Sequence, residues 1–290
     1  MSSTLWLDAL GAEIRREPVN GYQTRWIEAG DGPPLILLHG LSGHAETWSK
    51  NITKFAESFH VYALDMLGHG LSEKPAIDYS IAVLAQHVMS FMDEREITSA
   101  NLIGQSLGGW VAAAIAINHP ERVIALVSAT GAGLQLTDDG EEMTRSIGTK
   151  VRDATNKALA SPTLESVRER LEWLMFDKSI VTDELVAVRH HMYNQADFAA
   201  IAPRIIDSVT ASVNMNEMLT RDKLATITSP TLIFWTRNNP TMQWDVGKTA
   251  SEVIPNAEFY LMEEAGHWPQ YEKPEEFHSV VIPFLLKANA

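Results

Sequence analysis

The 290-residue sequence contains no cysteine. Disulfides, thiol nucleophiles and thiolate metal sites are therefore excluded. The absence fits a reducing compartment, and the expected location is the cytoplasm. No run of about 18 apolar residues occurs either, so no membrane-spanning helix is expected. Met1–Gly11 lacks the basic segment followed by an apolar one that marks a secretory signal. Basic residues are outnumbered: 23 Lys and Arg against 37 Asp and Glu give a formal charge of −14. A surface of that sign argues against nucleic acid and anionic membranes as partners. It leaves room for an anionic small molecule, because one cation in a closed pocket outweighs a distant, screened field.

With 45% apolar and 21% charged residues, the chain can bury a sizeable core. Its first 128 residues alternate between short apolar runs and helical periodicity. Tyr22–Ala29, Leu35–Leu38, His60–Leu64, Ala100–Ile103 and Val123–Val127 read as strands, and Ile81–Asp93 and Leu107–Asn118 as helices. Strands separated by helices of this length imply a parallel sheet with crossover helices. From about Gly131 to Leu224 only helical periodicity is legible, as in Glu165–Phe176 and Thr182–Tyr193. Strand signals return at Thr231–Trp235 and Ala257–Met262. The expected organisation is an α/β core of residues 1–132 and 225–290, with a helical cap of residues 133–224 over the carboxyl edge of the sheet.

Three short segments carry chemistry. Gly104-Gln105-Ser106-Leu107-Gly108 fits G-x-S-x-G between a strand and a helix, which puts Ser106 at the apex of a tight turn. The N–H groups at the start of the helix then face a developing oxyanion. His39-Gly40-Leu41-Ser42-Gly43 follows an earlier strand and offers a second donor, the N–H of Leu41, beside that of Leu107. Gly266-His267-Trp268 follows the last strand and suits a general base placed late in the chain. A fourth segment, Asp65-Met66-Leu67-Gly68-His69-Gly70-Leu71-Ser72, reads as a structural turn.

Together these segments resemble the α/β-hydrolase family over nearly the whole chain. Gly266-His267-Trp268-Pro269-Gln270-Tyr271-Glu272, and the cap segment Phe176 to Leu185 with Arg189, are similar to one branch, the meta-cleavage-product hydrolases. These split a carbon–carbon bond in vinylogous diketo acids formed by ring cleavage of catechols. The resemblance implies a serine nucleophile, Ser106, and a histidine base, His267. It also implies substrate-binding roles for Arg189, Gln105, Trp268 and Ser42, with Arg189 gripping a carboxylate. No metal or organic cofactor is implied. The expected partner is a small-molecule substrate, and a homo-oligomer is left open. Ester or lactone hydrolysis uses the same serine and histidine. A catalytically poor receptor on the same scaffold is the reading of a different class.

The resemblance fails at the third member of the triad. The family places an aspartate shortly after the strand that here is Thr231–Trp235, and the chain has Asn239 there, preceded by Asn238. Ser128-Ala129-Thr130-Gly131, after another strand, offers no carboxylate either. Asn239 orienting His267, a nearby acid such as Asp245 reaching in, and binding without efficient turnover are the three explanations. Two smaller departures are Gln105, where the branch often has asparagine, and Lys50, which takes the place of an asparagine while Asn51 stands beside it.

Overall fold

The computed structural model describes residues 4–136, 149, 152–153, 155–159, 161–210 and 216–290. Eight strands form one sheet: β1 (Glu13–Val19), β2 (Tyr22–Ala29), β3 (Pro34–Leu38), β4 (His60–Leu64), β5 (Ala100–Gln105), β6 (Val123–Ala129), β9 (Thr231–Thr236) and β10 (Ala257–Met262). Their order is β1-β2-β4-β3-β5-β6-β9-β10, with β1 and β2 antiparallel and the strands from β4 to β10 parallel. The central strands are apolar on both faces because both faces are covered. In β3, Ile36 and Leu38 enter one core, while Leu35 and Leu37 enter the other.

Helices α3 (Ile81–Glu94) and α4 (Leu107–Asn118) supply Leu84, Val88, Trp110 and Val111 to the first core. On the opposite face, α2 (Ser49–Phe55) and α11 (Pro274–Ala288) contribute Ile52, Phe55, Phe277 and Val281. After β3 the chain winds to one side, and β5 then takes the other side of β3. That reversal opens a crevice at the carboxyl ends of β3 and β5, the usual ligand position in an open α/β sheet. The loop after β3 holds His39, and the turn after β5 holds Ser106.

Two readings of the sequence need correction. Strand β1 was not legible: it is an edge strand, mostly exposed, and carries Arg15, Arg16 and Glu17 rather than an apolar run. The segment between β6 and β9 is not wholly helical. Its two ends, β7 (Leu134–Gln135) and β8 (Leu219–Thr220), pair in parallel at the point where the chain leaves and rejoins the core. Between them lie α5 (Leu164–Leu174), α6 (Asp183–Tyr193) and α7 (Ala196–Thr210). Thr163 caps α5 in a reciprocal box with Ser166, and Thr182 caps α6. Residues 137–148, 150–151, 154, 160 and 211–215 of the expected cap lie outside the described residues. Among the described residues, no helix is long and apolar enough to cross a membrane.

Candidate active site

The turn between β5 and α4 is held by backbone packing. Ser106 has φ 53° and ψ −115°, a conformation that costs a non-glycine residue about 1–3 kcal/mol and persists only where its surroundings enforce it. Enforcement is visible in three bonds: Ser106 N–H to Ala129 O at 3.1 Å, and Trp110 and Ala132 N–H to Ser106 O at 3.2 and 3.0 Å. Glycine at 108 is required by close approach, since a Cβ there would overlap the Leu38 carbonyl. Leu107 begins the helix, so its N–H has no helical acceptor. Across the crevice, Gly43 N–H closes a turn onto Gly40 O at 2.9 Å, and Ser42 within that turn has φ 52°. Among the described residues, no protein group accepts from the N–H of Leu41.

His39 braces this loop from below. Met66 N–H donates to its Nε2 at 3.1 Å, so the ring proton is on Nδ1 and goes to Gly40 O at 2.8 Å. Burial and the adjacent His69 ring push the His39 pKa well below its ordinary value, which keeps that tautomer neutral. The Asp65–Ser72 segment is structural. Asp65 accepts from Ala45 N at 2.6 Å, Leu71 N at 2.8 Å and the Arg25 guanidinium at 3.2 Å.

His267 is fixed by both its main chain and its ring. Gln105 Nε2 and Thr130 Oγ1 donate to His267 O at 3.0 and 2.9 Å, tying it to the elbow. Its N–H donates to Leu174 O, the last residue of α5, at 2.7 Å. Residue 266 must be glycine, because a Cβ there would press into the backbone of Leu174 to Phe176. At the ring, Nδ1 lies 2.9 Å from Asn239 Oδ1. The same oxygen accepts from Thr241 N–H at 3.2 Å and Thr241 Oγ1 at 2.9 Å. A backbone N–H fixes that atom as the carbonyl oxygen, so His267 Nδ1 must be the donor and Nε2 is left as an acceptor, the tautomer of a general base. Among the described residues, the Ser106 hydroxyl and the ring are not hydrogen-bonded. Such contacts often tighten only with substrate in place.

Without a carboxylate, burial and then the Arg170 cation lower the His267 pKa to about 3. Only the neutral ring can accept a proton, so a base at this position stays competent to low pH. We expect kcat/KM to stay level between pH 8 and pH 5. Asn239→Asp should keep all three donors and be tolerated. Its charge favours the imidazolium, so the acid limb should move up into that range, with turnover at pH 8 equal to or above wild type. A wild-type limb centred near pH 6.5, or no movement in the variant, would contradict this account.

The cap delivers two cations. Arg189 on α6 is only 2% exposed and donates from Nη1 to Ser42 O at 2.5 Å. Its Nε and Nη2 are buried without an acceptor. Its guanidinium lies over the rings of Trp268 and Tyr193, at 5.2 and 5.9 Å. Arg170 on α5 was not anticipated. It packs over Trp173 at 4.8 Å and donates to Thr155 Oγ1 at 3.3 Å, while its Nη1 is buried and unpartnered.

Several sequence expectations shift. The Gln105 amide nitrogen donates to His267 O, so Gln105 positions the histidine loop. Ser42 contributes its carbonyl to Arg189. Asp245 is exposed and accepts from Val246 N–H, so it does not serve His267; Asn238 is exposed as well. Lys50 caps Tyr271 O at 3.0 Å, and Asn51 binds Gln270 O at 2.9 Å, both bracing the histidine loop. His69 donates to Leu67 O at 3.1 Å. Glu272 ends the quoted tail segment, but its role was missed: one oxygen accepts from Gly266 N at 2.8 Å and Trp268 N at 3.2 Å, and the other from Phe176 N at 2.8 Å. It stitches the histidine loop to the cap. Among the described residues, no cluster of three His, Cys, Asp or Glu side chains could hold a metal ion.

A sequence model of the alpha/beta hydrolase fold matches residues 33–274. The 2-hydroxymuconate semialdehyde hydrolase of Pseudomonas sp. (strain CF600) is 32% identical over 291 aligned positions, covering 96% of each chain. The 2-hydroxy-6-oxononadienedioate/2-hydroxy-6-oxononatrienedioate hydrolase of Burkholderia vietnamiensis (strain G4 / LMG 22486) is 30% identical over 87% of each chain. Among solved structures, the meta-cleavage product hydrolase of Pseudomonas fluorescens IP01 superposes with a TM-score of 0.78 at 27% identity, over 94% of this chain and 98% of that one. A shared fold model across most of the chain and an end-to-end relative at this identity establish that the chain belongs to the α/β-hydrolase family, as a hydrolase similar to those of meta-cleavage products.

Proposed function

We propose that the chain hydrolyses a carbon–carbon bond of a vinylogous diketo acid in the breakdown of aromatic compounds. The observation that carries the reading is Arg189, buried over the oxyanion loop with two N–H-bearing nitrogens, Nε and Nη2, unmatched. An ester or lactone site has no need of a sunken cation, whereas a substrate carboxylate matches its free edge. Relatives named for such substrates support the reading.

In this mechanism the dienol first becomes its keto tautomer, with His267 relaying the proton. Ser106 Oγ then adds to the distal carbonyl carbon as His267 Nε2 takes its proton, and the N–H groups of Leu41 and Leu107 receive the oxyanion. Collapse breaks the carbon–carbon bond. The electron pair leaves into the conjugated keto acid as its dienolate, and His267 returns the proton to the dienolate oxygen. Water, deprotonated by His267, hydrolyses the serine ester and restores Ser106. Trp268 and Arg189 wall the cap side of this path.

The test is turnover by the purified protein of a meta-cleavage dienoate and of an activated ester with a similar acyl group. A dienoate kcat/KM well above that of the ester is expected. The reverse order makes the protein an ester or lactone hydrolase. Binding without turnover of either would favour a receptor, a reading supported by Asn239 in place of a carboxylate.

A further inference from the structure

We propose that Arg170 forms a second anion subsite beside His267, so that the favoured substrate is a dianion with one carboxylate for Arg189 and another, at its far end, for Arg170. The inference rests on the carbon–carbon hydrolase reading and narrows its substrate class.

Placement comes first. In α5, residues 167, 170, 171 and 174 share a face, and Val167, Leu171 and Leu174 on it are buried. Leu174 O receives the His267 N–H at 2.7 Å, so the C-terminal turn of α5 meets the histidine loop and Arg170 stands one turn back from that contact. Helices α5 and α6 pack together, and the Arg189 cation is close enough to act on Arg170.

Charge comes next. Among the described residues, no carboxylate pairs with either arginine, although most other arginines have one, as Arg25, Arg95, Arg122, Arg168 and Arg237 do. Arg189 is buried, and Arg170 is half-buried with its Nη1 shielded from solvent, so holding these like charges near each other without counter-charge is costly unless an anion completes the site. One carboxylate can occupy the Nε–Nη2 edge of Arg189 in a two-pronged bond. That leaves Arg170 Nη1 unmatched and its charge uncompensated.

The chemistry gives the second carboxylate a further use. Asn239 brings no negative charge to His267, and Arg170 works against the imidazolium that must form. A substrate carboxylate on Arg170 neutralises that opposition at the moment of proton transfer. A substrate with a hydrogen or alkyl group in that place does not.

The experiment compares two dienoates that differ only at the far end of the acyl group, one terminating in a carboxylate and the other in a methyl group. Wild type should prefer the dianion by at least tenfold in kcat/KM. In Arg170→Gln the preference should fall to near unity, chiefly through KM for the dianion, whereas Arg170→Lys should retain part of it. Binding of both compounds to Ser106→Ala, measured by calorimetry, should show the same preference without turnover. Absence of a preference in wild type overturns the inference whatever the variants do. Equal losses on both compounds in Arg170→Gln also overturn it, and mean that the two arginines clamp one carboxylate together. Cleavage without preference leaves the carbon–carbon reading standing. Selective dianion binding without cleavage leaves the subsite standing and removes that reading.

Discussion

Ser106→Ala should lower turnover by roughly 10⁴- to 10⁶-fold, the range seen when the nucleophile of a serine hydrolase is removed from an otherwise intact site. The fold should survive. The hydroxyl makes no hydrogen bond among the described residues, and the backbone that carries it is pinned by bonds from Ala132 and Trp110 and to Ala129. A sharper version uses the strain. At φ 53° any residue with a Cβ is disfavoured, so Ser106→Gly should also be inactive but should raise thermal stability by about 1 kcal/mol relative to Ser106→Ala. Steady-state assay and thermal melting of the three proteins measure both effects. Wild-type turnover in either variant removes Ser106 from the chemistry. Equal stability of the two variants would mean that the turn is not strained in solution.

The elbow was legible because its constraint is local. Gly104 and Gly108 are demanded by backbone contact within one strand–turn–helix unit, and that demand is written at fixed spacing around Ser106. The central strands were legible for a similar reason: burial on both faces leaves Leu35–Leu38 and Leu232–Trp235 no polar positions to obscure them. The exposed edge strand β1, with its charged residues, has no such pressure. The two-residue strands β7 and β8 are too short for any period to register.

Arg170 and the role of Glu272 were invisible for another reason. Glu165, Arg168, Arg170 and Glu172 alternate along α5 as on a solvated face. Arg170 nevertheless shares its face with the buried Val167, Leu171 and Leu174. Glu272 sits in a short helical turn after Trp268, and nothing in its neighbours reveals that it collects N–H groups from both the histidine loop and the cap. Burial raises its pKa, and the bonds from Gly266 and Phe176 oppose that shift. Both residues acquire meaning from contacts across about 100 positions of sequence, which no local pattern encodes.

Arg189→Gln should lower kcat/KM for an anionic dienoate by about 10²- to 10⁴-fold. Two charge-assisted hydrogen bonds to a carboxylate contribute about 1.5–3 kcal/mol each, and Arg189 offers Nε and Nη2 for them. The methyl ester of the same dienoate carries no charge for the fork to hold, so it should lose much less. A small common loss, up to about tenfold, is expected on both compounds. It comes from the third bond, Arg189 Nη1 to Ser42 O, which steadies the loop that presents the Leu41 N–H. Arg189→Lys separates the two contributions. An ammonium keeps the charge but cannot span both carboxylate oxygens in one plane, so it should fall between wild type and glutamine on the acid. The assay is a two-by-three comparison of acid and ester on wild type, lysine and glutamine proteins. A loss concentrated on the acid assigns Arg189 to the substrate carboxylate. Equal losses on acid and ester would instead make Arg189 a support for the oxyanion loop. The buried cation would then say nothing about substrate charge, and hydrolysis of a neutral ester or lactone would become the better account of the site.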